Sequence, residues 1–91
     1  TLKRVLLELG GKSPFVVFPD ADLDQVVTGA LMGVFYNSGQ TCTAATRIFI
    51  HESLKEEFLE RFVAGAKALT VGHPLAEDTQ NGPLVTRMQY E

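Results

Sequence analysis

The stretch PFVVFPDADLDQ, residues 14–25, decides the fold class. Its first five residues form a short, continuous apolar run rich in Val and Phe. Such a run reads as a strand buried on both faces. Pro14 is tolerated at the first position of a strand, where no ladder donor is needed. Within a few residues the pattern changes period. Asp20 and Asp22 are candidate caps, and carboxylates favour the positive N-terminus of a helix. Leu23, Val26, Val27, Ala30, Leu31, Val34 and Phe35 then recur at helical spacing. Gly29 and Gly33 interrupt that helix. Each costs roughly 1 kcal/mol against Ala, so both are expected to serve close packing. NSGQ, residues 37–40, ends the helix.

The same alternation repeats downstream. TRIFIH, residues 46–51, reads as a strand. SLKE, residues 53–56, has the form of a capping box, Ser53 with Glu56 three residues on. Leu54, Phe58, Leu59, Phe62, Val63, Ala66 and Leu69 give a second helix its apolar face, opposite a charged surface. GHPLAEDTQNGPL, residues 72–84, is a loop by its prolines and glycines. Upstream, KRVLLEL, residues 3–9, reads as a further strand ended by Gly10 and Gly11. The expected order is strand, strand, helix, strand, helix, loop. This is an α/β unit with a strand-helix-strand-helix core and parallel pairing between PFVVF and TRIFI.

The bulk properties narrow the function. The 91 residues suffice for one small domain, and 45% are hydrophobic, as in globular chains. A net charge of −3 offers no electrostatic footprint for nucleic acid or an anionic membrane. No apolar run approaches the ~20 residues that span a bilayer. The single Cys excludes an internal disulfide framework and points to a reducing, cytoplasmic setting. Thr1 runs at once into strand-like sequence, and VTRMQYE stops without a cap. A piece of a larger protein is therefore expected.

Two tempting motifs fail. GGKS at 10–13 lacks the first glycine of a phosphate-binding loop, because residue 6 is Leu, and a strand follows where a helix is required. One Cys with His51 and His73 far apart gives no zinc-ligand pair, so no metal site is expected.

Two residues carry chemistry. Cys42 lies just past a helix end and just before a strand, where sites gather in α/β folds. A lone Cys is ordinarily an apolar filler. To act as a nucleophile it needs a base, a positive dipole or a cation. The C-terminus of the preceding helix supplies none of these. Glu8 stands in an apolar segment beside a double glycine. Its ordinary reading is a solvated edge-strand carboxylate; its functional reading is a general base. The two glycines permit a close approach of backbone or ligand. Spacing alone does not bring Glu8 to Cys42.

LELGGKSP at 7–14 followed by NSGQTCTA at 37–44 closely resembles the two active-site signatures of the aldehyde dehydrogenase superfamily. Their order matches, and Cys42 follows Glu8 by 34 residues, which is similar to the family's separation. PDADLD and GPLV fall where the family has similar segments, so the resemblance covers essentially the whole chain. It implies that Cys42 is the catalytic nucleophile and Glu8 the general base. Cys42 would form a thiohemiacetal with an aldehyde, and backbone N–H groups near Cys42 would hold the oxyanion. Hydride transfer to NAD or NADP would give a thioester, and Glu8 would activate the hydrolytic water. A Glu at this position favours the hydrolytic branch over relatives that pass the acyl group to coenzyme A. Leu9 and Gly10 would lie beside the nicotinamide. Thr41, Thr43 and Tyr36 would line the substrate funnel. Arg47 would be structural.

The resemblance also implies what this stretch lacks. The nucleotide-binding fold, the family's oxyanion asparagine, the residues that hold the cofactor ribose and the oligomerisation strands lie elsewhere. Residues 1–91 would thus be part of the nucleophile-bearing catalytic domain of a homo-oligomeric parent, a dimer or tetramer, with a small-molecule aldehyde as substrate. Two other classes compete. A non-catalytic α/β scaffold relative would not need both Cys42 and Glu8. A cofactor-free thiol hydrolase would need a His partner, and neither His51 nor His73 has that motif context.

Overall fold

The structure, a computed structural model, describes residues 1–91. Strand β1 (Pro14–Val17) pairs in parallel with β2 (Arg47–Ile50), and helix α1 (Leu23–Phe35) makes the crossover between them. Helix α2 (Lys55–Ala68) follows β2, and a single-turn helix α3 (Arg87–Tyr90) lies near the C-terminus. The register sets Phe15 beside Ile48 and Val17 beside Ile50, with Val16 beside Phe49. Side chains alternate across a strand, so the first two pairs share one face and the third belongs to the other.

The helices cover only the first face. The Phe15 ring reaches within 3.8 Å of where a Cβ on Gly29 would sit. Val17 at 4%, Ala30 at 0% and Phe58 at 2% exposure form the centre of the core. Phe58, Phe62 and Phe35 continue it as a stack with centroid separations of 5.3 and 6.0 Å. Gly65 lets α2 close against Leu31 of α1. On the other face Val16, Phe18 and Phe49 are exposed, so β1 is covered on one side and not on both. Its unbroken apolar run is consistent with two covered faces, but α1 and α2 both pack on the same one.

Asp22 caps α1, its side chain accepting from Asp24 N (3.0 Å) and Gln25 N (3.3 Å). The capping box expected at Ser53 and Glu56 does not form. A turn of 3₁₀ helix (Glu52–Leu54) leads into α2, and His51 Nδ1 accepts from Ser53 N at 3.3 Å. The cap therefore falls two residues upstream of Ser53, whose own N–H is one of the free donors that His51 satisfies. Arg61 on α2 bridges Asp24 of α1 and Glu57. All three side chains are well solvated, so the bridge contributes little, within about 1 kcal/mol.

KRVLLEL is not a strand. Leu2, Val5, Leu6, Leu7 and Leu9 are all exposed, and neither strand of the sheet pairs with this segment. A strand exists through its ladder, and periodicity alone supplies no partner. Residues 1–91 have a radius of gyration of 16.1 Å, against about 12 Å for a compact domain of this length. Loop 72–84 is tied down at its base: Gly72 N donates to Asn81 O, and Gln80 N and Asn81 N both donate to Thr70 O, each at 3.0 Å. No helix is long and apolar enough to cross a membrane.

Candidate active site

Helix α1 stops because the next residues leave helical space. Asn37, Ser38 and Gly39 take φ values of 52°, 57° and 76°, three left-handed residues in succession. Glycine adopts this region freely. For Asn37 and Ser38 it costs on the order of 1 kcal/mol each and persists only where surroundings enforce it. Here they do. Asn37 Nδ2 donates to Gln40 O at 3.2 Å, and Gln40 Nε2 returns a bond to Asn37 O at 3.1 Å. Ser38 Oγ donates to Gly82 O at 3.2 Å.

This reversal delivers a tight turn, Thr41 to Ala44, closed by Ala44 N donating to Thr41 O at 3.1 Å. Cys42 and Thr43 are its two central residues, and Cys42 is exposed. Neither Cys42 N nor Thr43 N donates a backbone hydrogen bond. Beyond the turn the chain runs back along α1. Ala45 N donates to Gly33 O at 2.9 Å, and the Ala45 methyl lies 3.4 Å from where a Gly33 Cβ would stand. That distance is at the near edge of ordinary van der Waals contact, so an added methyl at Gly33 would meet no clash. At Gly29 the corresponding contact is an ordinary 3.8 Å.

The double glycine reaches the turn from the opposite side. A Cβ on Gly11 would stand 2.1 Å from the Cys42 carbonyl oxygen, a distance no side chain can occupy. Gly10 meets nothing within 4 Å. Gly11 thus permits the backbone contact, while Gly10 leaves open space beside it. Arg47 fixes the end of this segment, Nε donating to Lys12 O at 2.9 Å while its guanidinium lies over the Phe49 ring at 5.8 Å.

Between the two segments opens a cavity of about 370 Å³. Of the residues singled out from the sequence, Leu9, Gly10, Thr41 and Cys42 line it together. Glu8 precedes Leu9 directly but is itself exposed and outside the lining. Thr43 also lies outside it. Tyr36, 64% exposed, lines a separate hollow with Leu31, Phe35 and Asn81. Gly11, singled out with Gly10 for close approach, is also in the wall, as are Lys12, Gly39 and Gln40 from within the two motifs. Thr46, with Val85 and Gln89 of the C-terminal segment, completes it; none of these three stands out in the sequence as a site residue. Gln40 Oε1 accepts from Val85 N at 2.8 Å, which holds that segment in place. No cluster of His, Cys, Asp and Glu assembles that could hold a metal.

The cavity thus combines one exposed thiol with walls rich in glycine and open space beside Gly10. Comparison with known proteins identifies the family. The family model described as "Aldehyde dehydrogenase family" matches residues 1–91. Betaine aldehyde dehydrogenase of Brucella anthropi is 51% identical over 90 residues, which is 99% of this chain and 18% of that protein. The aldehyde dehydrogenase of Bacillus cereus in its NAD+ complex superposes with a TM-score of 0.87 at 41% identity, covering 96% of this chain and 18% of that one. A 3,6-anhydro-L-galactose dehydrogenase in complex with NAP gives 0.85 at 40% identity, covering 90% and 17%. The chain spans about a fifth of the length of the relatives it matches.

Proposed function

The chain belongs to the aldehyde dehydrogenase family, and we propose that the full-length protein oxidises an aldehyde to a carboxylic acid with NAD(P)+. Residues 1–91 supply the nucleophile-bearing part of its catalytic domain. One observation carries this reading: the Gly11 backbone lies against the Cys42 carbonyl, so both signature motifs face one cavity.

Cys42, as thiolate, adds to the aldehyde carbon and forms a carbon–sulfur bond. The resulting oxyanion falls near the N–H groups of the turn, which stabilise it without reorganisation. The nicotinamide, when bound, supplies the hydride acceptor, and Leu9 and Gly10 are the residues here that would line it. Oxidation leaves an acyl group on Cys42 as a thioester. Glu8 then takes a proton from water, the water oxygen attacks the acyl carbon, and the carboxylic acid departs with Cys42 released as thiolate. Glu8 is exposed and adjoins Leu9 of the cavity wall.

The test is aldehyde-dependent formation of NADH or NADPH by the full-length protein. The aldehyde panel includes betaine aldehyde, for which its relatives are named. Turnover is expected from the full-length protein and none from the 91-residue chain, which lacks most of a cofactor site. Turnover by the short chain, or none by the long one on any aldehyde, overturns the reading.

A further inference from the structure

We propose that Gln40 is a positioning residue for Cys42, a two-ended clamp joining the nucleophile turn to the segment that carries Val85 and Gln89. Its effect on turnover rests on the dehydrogenase reading above; its effect on thiol reactivity does not.

Both ends of the amide are used, and each meets the partner its chemistry requires. Nε2 donates to the Asn37 carbonyl at 3.1 Å, and Oε1 accepts from the Val85 N–H at 2.8 Å. The backbone of Gln40 joins in, its N–H donating to Asn37 O at 3.1 Å and its carbonyl accepting from Asn37 Nδ2 at 3.2 Å. Asn37 and Gln40 thereby close a ring of bonds around the left-handed residues that precede the turn. Gln40 is two residues from Cys42, so any rotation of the ring moves the thiol directly. The far end reaches across 45 residues of sequence to the opposite cavity wall. Ser38 makes a second, parallel tie to Gly82. A glutamine that merely stabilised its own loop would need only the Asn37 bond. The Val85 bond instead couples the loop to a segment whose other residues, Val85 and Gln89, face the same cavity.

No single substitution mimics both ends. Gln40→Met keeps the length and removes both bonds. Gln40→Glu keeps the acceptor for Val85 N–H but sets an oxygen against Asn37 O. Gln40→Asn keeps the chemistry and is too short to span both partners.

The experiment compares these three variants in the full-length protein. It reads the alkylation rate of Cys42 by iodoacetamide without substrate, together with kcat, the aldehyde KM and the melting temperature. Alkylation of an exposed thiol follows its thiolate character, which the N–H dipoles of the turn help to set. Gln40→Met is expected to lower kcat by about 10- to 100-fold, the scale of an ångström-sized misplacement, and to slow alkylation measurably as those dipoles turn away from the sulfur. KM should stay within about threefold, because the lost interaction acts on the reacting atom and not on uniform binding. Gln40→Glu should lose less than Gln40→Met, and Gln40→Asn as much. A folded Gln40→Met protein with wild-type kcat and alkylation overturns the clamp. So does loss of folding in all three variants, which makes Gln40 a stability residue. If the wild type oxidises no aldehyde while Gln40→Met still slows alkylation, the dehydrogenase reading fails and the clamp stands.

Discussion

The cavity has two sides of very different construction. The Cys42 side is fastened from within: three left-handed residues are enforced by Asn37 and Gln40, a closed turn follows, and bonds lead back to Gly33 and out to Gly82 and Val85. The Glu8 side is an extended run with no ladder, held at its end by Arg47 on Lys12 O and by the Gly11 contact. A nucleophile must be aimed to a fraction of an ångström and is served by a rigid local frame. Within residues 1–91 the bonds that frame Cys42 are thus many, and those on the Glu8 segment are the Arg47 bond and the Gly11 contact.

Substitutions test this division, beginning with the strongest. Cys42→Ser in the full-length protein removes the nucleophile itself, and aldehyde-dependent NAD(P)H formation should fall by about 10⁴-fold or more. Surviving turnover near wild type would place the chemistry elsewhere. Glu8→Gln should slow steady-state turnover by about 10²- to 10⁴-fold, the usual contribution of a general base. Acylation does not need Glu8, so rapid mixing should still show a burst of one NAD(P)H per site. Loss of the burst along with turnover would mean that Glu8 acts on Cys42 as well, and the two sides would then share a task. Gly11→Ala attacks the seam between the sides. Its methyl cannot fit beside the Cys42 carbonyl, so one segment must move, at a cost of about 1–3 kcal/mol in denaturant unfolding. Gly10→Ala meets open space and serves as the control. Equal behaviour of the two would remove the contact that carries the functional reading. The mildest is Asp22→Ala, at the far end of α1 from the turn. It should cost about 1 kcal/mol of stability, read as a lower melting temperature, and leave Cys42 alkylation unchanged.

The sequence was informative where the physics is local. Helical spacing located α1 and α2, the apolar runs located β1 and β2, and Asp22, one of two candidate caps with Asp20, is the one that forms. It misled where a second segment had to take part. KRVLLEL has strand composition, yet pairing is a property of two chains of backbone, and no strand here lies beside it. Ser53 and Glu56 form a capping box on paper, but the cap forms at His51, two residues upstream. Helix α3 is a single turn, Arg87–Tyr90, too short to register as a period.

The same boundary runs through the candidate site. Residue chemistry draws the eye to Cys42 and Glu8, and the resemblance carried by LELGGKSP and NSGQTCTA adds Leu9, Gly10 and Thr41; of these, Leu9, Gly10, Thr41 and Cys42 line one cavity. Only the tertiary structure decided that Gly11, and not Gly10, is the glycine in contact, and that Tyr36 turns toward another hollow. It alone brought Val85 and Gln89 to the cavity. Those outcomes depend on which backbones meet across 31 to 45 residues of sequence, and no periodicity or local propensity encodes such a meeting.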